Sequence, residues 1–212
     1  MLNFYDLILL LIVGVSIYRY RALDHASRIF TVYIWLSVLC ELVARVAGRV
    51  YHNNMPVYAI YGIIEFLFMC VYFNNIIDVF RAKNIGYHLA GIGVLLGVYN
   101  IVYVQGIFRL NSYFLIFEAI SVIGMSLFFF ARMFLQHGQL RLHKYHHFWF
   151  AAILSFFWSI TFIQWGLYEY INVKYPRYVA IDNAAIVIAS MVSYMAMICV
   201  YLFYPKMQIS ND

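Results

Sequence analysis

Seven apolar runs, separated by short polar segments, divide the sequence. They cover roughly 4–19, 29–50, 57–77, 85–104, 112–135, 147–168 and 178–204. Most approach the ~20 residues that an α-helix needs to cross a ~30 Å hydrocarbon core, and the first is the shortest. No stretch has the alternating pattern of a membrane β-barrel. The pattern predicts an all-α, polytopic membrane protein in which residues 1–212 form one domain of seven transmembrane helices.

Lysine and arginine are distributed unevenly between the two ends of these helices. Nine of them lie at one end: Arg19, Arg21, Arg28, Arg81, Lys83, Arg132, Arg141, Lys144 and Lys206. Four lie at the other: Arg49, Arg109, Lys174 and Arg177. Because positively charged loops stay in the cytoplasm, this bias predicts an outside amino terminus and a cytoplasmic carboxyl terminus. The expected location is the cell membrane, either a plasma membrane or a bacterial inner membrane.

The composition supports a chain surrounded by lipid. Of the 212 residues, 66% are hydrophobic and only 11% are charged, whereas soluble domains carry about a quarter charged residues. The lipid bilayer is therefore the first expected partner, and a nucleic-acid partner is excluded. The net charge of +5 follows from the basic loops. The three cysteines, Cys40, Cys70 and Cys199, lie in apolar runs, and no cofactor is predicted.

Small residues line one face of the fourth apolar run. Gly86, Ala90, Gly93 and Gly97 recur at helical spacing. Small side chains let membrane helices approach closely. We therefore expect this face to pack against a neighbouring helix.

Charged residues inside the spans are the first candidates for function, because a charge in a bilayer is costly and normally faces the bundle interior. Glu41, Glu65 and Glu118 lie in three different spans. Arg45 and Arg49 follow Glu41 at intervals of four residues, which places all three along one helical stripe. Glu41 and Arg45 could form an intrahelical ion pair, since Glu four residues before Arg is the favourable order.

These residues favour a polar cavity open to the outer side. Tyr61 shares a helical face with Glu65, and Asn183 lies near the outer end of the last span. At 1.5 Å per residue, Glu65 and Glu118 lie ~13 Å and ~10 Å from the outer ends of their helices. The predicted ligand-binding residues are Glu41, Arg45, Arg49, Tyr61, Glu65, Glu118 and Asn183. The alternative is a structural hydrogen-bond network without a ligand.

A histidine cluster precedes the sixth span. His143, His146 and His147 form an HxxHH string, which resembles one histidine box of the membrane di-iron desaturases and hydroxylases. Those enzymes need several boxes, and the other histidines here are isolated, so no metal is predicted. Two interpretations of the cluster remain. It is either the basic, aromatic start of a helix or a single-metal site at the cytoplasmic edge of the membrane.

One segment resembles a known group of proteins. The stretch HNNMPVYAIYGIIEFLFMCVYFNN, His52 to Asn75, is similar to a segment of small bacterial seven-helix membrane proteins, in which an Asn-rich turn precedes a helix bearing Tyr and Glu. That group has no established activity. The resemblance makes candidates of Asn53, Asn54, Tyr61 and Glu65 and implies nothing more.

Three functions fit these observations, in the following order. The first is a sensor or receptor-like module that binds a small molecule in the outer cavity and acts through a separate signalling partner. The second is an intramembrane enzyme acting on a lipid or apolar substrate, with Glu65 and Glu118 as general acid and base and with Arg45 or Arg49 holding an anionic headgroup. The third is a proton-coupled transporter of small molecules.

Overall fold

The structure is a computed structural model that describes residues 4–136, 144–175, 177 and 179–207, with side chains except at residues 136, 169, 172, 179–183, 206 and 207. All its regular elements are helical. They are α1 (Phe4–Arg19), α2 (His25–Tyr51), α3 (Met55–Ile76), α4 (Asp78–Lys83), α5 (Ile85–Tyr99), α6 (Ser112–Gln136), α7 (His146–Lys174) and α8 (Val179–Met207). The all-α prediction is confirmed for the described residues.

Six helical segments within the described residues are long and apolar enough to cross a membrane. They are His25–Tyr51, Met55–Ile76, Ile85–Val104, Ser112–Leu135, His146–Tyr168 and Ala184–Pro205. A multi-pass membrane protein is therefore the class that the fold supports. Helix α1 has 16 residues and covers ~24 Å at 1.5 Å per residue, which is shorter than a ~30 Å core. The seventh span and the orientation of the termini remain predictions.

The helix boundaries follow the apolar runs to within four residues, apart from three features. The short helix α4 follows the third run and was not predicted from hydropathy. The fifth helix ends in a π-helical turn at Asn100–Val104. Helix α7 continues to Lys174, beyond the expected end at residue 168, because helical hydrogen bonding continues after the apolar run has ended.

The chain divides into two compact units, with the boundary inside α6. The 24–118 unit comprises Asp24–Glu118, and the terminal unit comprises Met1–Leu23 with Ala119–Asp212. Each is described below by itself. The expectation that residues 1–212 form one domain remains a prediction.

Helix α3 is central to the 24–118 unit, where it packs against both α2 and α5. The small-residue face of α5 is directed at α3, as predicted. A Cβ atom at Gly86 would lie 2.5 Å from the Cys70 carbonyl oxygen, and one at Gly97 would lie 2.6 Å from Ile63. At Gly93 it would overlap the ring of Phe66. Glycine at these positions is therefore what permits the close approach of the two helices.

A short turn connects α2 to α3. His52 adopts a left-handed conformation with φ of 54° at the end of α2. Asn53 then accepts a hydrogen bond from the Met55 N–H at 2.9 Å, and Pro56 occupies the first turn of α3, where its missing N–H costs nothing. Asn53 and Asn54 thus build the turn that makes α2 and α3 an antiparallel hairpin.

In the terminal unit, α8 packs against α1 and α7. Aromatic side chains fill the α7–α8 seam, where the Phe150 and Tyr201 ring centroids lie 5.4 Å apart. The Arg19 guanidinium at the end of α1 donates to the Leu202 carbonyl oxygen at 3.4 Å. The outward faces of the long helices in both units are apolar, as in Leu39 and Leu42 of α2. Such faces are typical of lipid contact rather than of a water-exposed surface.

Candidate functional site

Side-chain hydrogen bonds connect the facing surfaces of α2 and α3 at three successive levels. The Tyr33 hydroxyl donates to Glu65 Oε1 at 2.7 Å. One turn further along α2, Ser37 is hydrogen-bonded to the Tyr61 hydroxyl. A further turn along, Glu41 is hydrogen-bonded to Tyr58. The three pairs are called the α2–α3 ladder below, and steps of three or four residues along each helix generate it.

Glu41 has two partners at the end of the ladder nearest the α2–α3 turn. The Tyr58 hydroxyl donates to its carboxylate, and Arg45, one turn later on α2, interacts with it electrostatically. Glu41 and Arg45 are therefore close enough to interact, and Glu41 also has a contact from the next helix. Glu41 and Arg45 are both half-buried, so their charges are only partly screened by solvent.

Glu118 occupies a different environment on the third helix of the site, α6. Its side chain is fully buried, with 0% exposure. Neither carboxyl oxygen has a hydrogen-bond partner among the residues that the structure describes. Burying a polar group without a partner costs roughly 2–7 kcal/mol, depending on the reference state. Of the three acids in the spans, Glu118 is therefore the one whose present contacts do not account for its burial.

Gly62 of α3 lies next to the Glu118 carboxyl. A Cβ atom at Gly62 would lie 3.7 Å from Glu118 Oε2 and 3.8 Å from the ring of Phe114. A Cβ atom at this position would thus be in ordinary van der Waals contact with the carboxyl. The carboxyl of Glu118 thus faces the backbone of α3, one turn from Glu65.

The three acids form one electrostatic group. Glu65 is close enough to both Glu41 and Glu118 to interact with each of them. Cys40 lies near Glu41 and Glu65, and Cys70 lies near Glu118. Like charges in a medium of low dielectric constant repel strongly. Ionisable groups inside membrane spans are costly and commonly mark functional sites, which makes this group of acids a candidate for function.

An amide network holds the start of α6 in place. Asn100 donates to Gln105 Oε1 at 2.8 Å and is hydrogen-bonded to Asn111. Gln105 in turn donates to the Ser112 hydroxyl at 2.8 Å. Asn100, Asn111 and Ser112 are buried. The network joins the end of α5 to the start of α6 and so fixes the rotation with which α6 presents Glu118.

Phe114 lies near the Glu118 carboxyl and belongs to a cluster of three phenylalanines. The Phe66 ring of α3 is 6.1 Å from the Phe114 ring and 5.3 Å from the Phe117 ring, measured between centroids. Phe114 and Phe117 are themselves 6.1 Å apart. Phe66 and Phe114 are buried. The carboxyl thus has an aromatic ring, Phe114, as a near neighbour, in addition to Glu65 and Cys70.

The predicted site residues separate into those that meet in the 24–118 unit and those that do not. The structure brings together Glu41, Arg45, Tyr61, Glu65 and Glu118. Arg49 is exposed in the last turn of α2. Asn183 belongs to the backbone of α8, and its side chain lies outside the described residues.

The histidine cluster forms an aromatic group at the start of α7. His146 and His147 are buried, and their Nε2 atoms are 3.1 Å apart. The His146 ring lies 4.5 Å from the Tyr204 ring of α8. His143 lies outside the described residues. In the terminal unit the pair contributes to the aromatic packing of the α7–α8 seam.

Sequence reasoning missed the residue that binds Glu65. Tyr33 lies four residues before Ser37, on the stripe that continues through Glu41 and Arg45. Extending this stripe by one turn toward the start of α2 would have identified Tyr33. The amide network around Gln105 had a weaker signal, because amide residues near helix ends are common.

Comparison of the chain with known protein families, with curated proteins and with solved structures found no match.

Proposed function

We propose that this chain is a receptor-like membrane protein that binds a small molecule at the Glu65–Glu118 carboxyl pair. The observation that carries the proposal is the buried carboxyl of Glu118, which has no hydrogen-bond donor among the described residues. Buried polar groups in folded proteins nearly always have partners, and exceptions call for an explanation. A ligand that supplies the missing donor would provide one.

The proposed topology has seven spans, with the amino terminus outside the cell membrane and the carboxyl terminus in the cytoplasm. The support for it is the bias of nine basic residues against four. In this topology Glu65 lies ~15 Å from the outer start of α3, and Glu118 lies ~9 Å from the outer start of α6. The site would then lie between the outer surface and the midplane and be reached from outside.

The proposed signalling route passes to a second protein. A ligand that contacts both α3 and α6 would favour one arrangement of these helices and so shift the population of states. The inner basic loops, including Arg81 and Lys83, would carry that change to a separate signalling partner. The outward-facing cavity proposed from the sequence is the route by which a ligand would arrive.

Native mass spectrometry of the gently purified protein tests the proposal. We expect a bound small-molecule mass in the wild type and its loss in Glu118→Gln, which removes the carboxylate and keeps the shape. Asp78→Asn is the matched control, since Asp78 is an exposed acid paired with Arg81 on α4. A bound mass that persists in Glu118→Gln would refute the site assignment.

An intramembrane enzyme is the second candidate, and one observation favours it. Glu65 accepts a hydrogen bond from Tyr33, whereas Glu118 has no donor, so two neighbouring carboxyls have unequal environments. Unequal environments are how paired carboxyls acquire separate acid and base roles. Incubation with lipid extracts should then give a product that wild type and Asp78→Asn form and Glu65→Gln does not. Identical lipid profiles for all three proteins would reject the enzyme.

A further inference from the structure

The hydrogen-bond partners of the three acids indicate which kind of ligand the site can accept. Glu41 already has Tyr58 and Arg45 as partners, and Glu65 has Tyr33. Glu118 offers two acceptor oxygens that no described residue engages. A ligand that donates hydrogen bonds would therefore complement these oxygens. An anionic group would instead add a negative charge beside Glu65 and Glu118.

The neighbouring rings add a second, independent requirement. A Cβ atom built on Gly62 would lie 3.8 Å from the ring of Phe114 and 3.7 Å from the carboxyl of Glu118. The ring and the carboxyl therefore lie close to the same point. Phe66 and Phe117 pack against Phe114 and against each other, so the three rings form one aromatic cluster. Aromatic faces attract organic cations, most strongly where water is excluded. An inorganic cation would have to exchange its hydration shell for an apolar wall, whereas an organic ammonium carries its own apolar surface.

From these two requirements we infer that the ligand is a small organic amine, bound as its ammonium form with N–H groups directed at Glu118 and its apolar part against Phe66, Phe114 and Phe117. The inference rests on the proposed function, because it names the ligand class of the same site. The ammonium would supply both the hydrogen-bond donors that Glu118 lacks and a positive charge between Glu65 and Glu118.

Four probes of similar size separate the contributions of charge and of hydrogen bonding. Benzylamine carries charge and N–H donors at neutral pH, benzyltrimethylammonium carries charge alone, benzyl alcohol carries one neutral donor, and benzoate carries the opposite charge. Binding to the purified wild type is measured by titration, with protein-free detergent as the blank. We expect benzylamine to bind best, by about tenfold or more over each of the others, since charge-assisted hydrogen bonds are the strong ones.

Variants assign the binding to Glu118. Glu118→Gln should lose the benzylamine preference, and Asp78→Asn should keep it. If Glu118→Gln does not fold, Glu118→Asp retains the charge but withdraws it from the aromatic surface, and it should weaken benzylamine binding. The order of the four probes on the wild type tests the ligand class without any variant.

The outcomes separate this inference from the proposed function. Tightest binding of benzyl alcohol or benzoate, lost in Glu118→Gln, would overturn the amine and leave a small-molecule site at Glu118. Equal binding of every probe to wild type and Glu118→Gln, or binding of none, would overturn the amine inference. A co-purifying mass that Glu118→Gln loses and that contains no basic nitrogen would also overturn it.

Discussion

Replacing Glu118 by methionine should stabilise the protein, although Glu118 lies in the proposed binding site. Its carboxyl is fully buried and has no donor among the described residues. Mutational data place the cost of burying such a group at about 1–3 kcal/mol. Methionine has a similar length and fills irregular space, and swaps that conserve volume usually cost less than ~1.5 kcal/mol. The expected net gain in the free energy of unfolding is about 1–2 kcal/mol.

The measurement is the apparent melting temperature in detergent, followed by fluorescence. For a chain of this length, a gain of 1 kcal/mol corresponds to roughly 2–4 °C, so Glu118→Met should melt about 2–8 °C above wild type. Native mass spectrometry of the same samples is needed, because a co-purifying ligand would stabilise the wild type and hide the gain.

A contrasting variant gives the opposite sign. Glu65→Met removes the acceptor of the 2.7 Å hydrogen bond from Tyr33, and leaving a buried hydroxyl without its partner costs about 1–3 kcal/mol. It should therefore melt below wild type. Asp78→Asn should change little, since exposed ion pairs contribute about 0–1 kcal/mol. If Glu118→Met melted as low as Glu65→Met in ligand-free samples, Glu118 would have a structural partner and the reasoning would be refuted.

Three further predictions concern the frame around the site. Tyr33→Phe keeps the aromatic ring but removes the hydrogen bond to the Glu65 carboxylate. We expect a lower melting temperature, corresponding to a loss of about 1.5–3 kcal/mol in the free energy of unfolding. An unchanged melting temperature would show that this hydrogen bond contributes nothing. Gly86→Ala should destabilise the protein by about 1–3 kcal/mol through overpacking, because its Cβ would lie 2.5 Å from a backbone oxygen of α3. Gly91→Ala on the same helix is the control. A Cβ there meets nothing within 4 Å, so this variant should be neutral or slightly stabilising. In a cysteine-free background, a membrane-impermeant thiol reagent applied to intact cells should label Arg109→Cys and not Lys83→Cys; the reverse pattern would invert the proposed topology.

The spans could be predicted because the bilayer restricts their length and composition. An apolar run of ~20 residues has few alternatives to a helix in lipid, where every backbone group must be satisfied internally. The small-residue face of α5 was predictable for a similar reason, since close helix approach has a recognisable spacing. The extension of α7 to Lys174 was not, because the polar end of a helix leaves no hydropathy signal.

The members of the site were predictable, whereas their partners were not. Helical periodicity places Glu41 on one face of α2 and Glu65 on one face of α3, but it does not fix the axial offset between two helices. A hairpin symmetric about Asn53 would set Glu41 opposite Glu65. The observed partners, Tyr58 for Glu41 and Tyr33 for Glu65, are displaced by about two helical turns. Interdigitating side chains and the conformation of the turn determine this offset, and periodicity contains neither.

From the sequence only Glu41 has an expected partner, Arg45, and the structure distinguishes the three acids further by the partners it provides. A purely structural hydrogen-bond network accounts for Glu41 and Glu65, because Tyr58, Arg45 and Tyr33 satisfy them. The same network would require a donor for Glu118, and none is found among the described residues. Glu118 is therefore where the two interpretations give opposite predictions. A network residue lowers stability when removed, whereas a residue kept for binding raises it, because natural proteins trade stability for function at such positions.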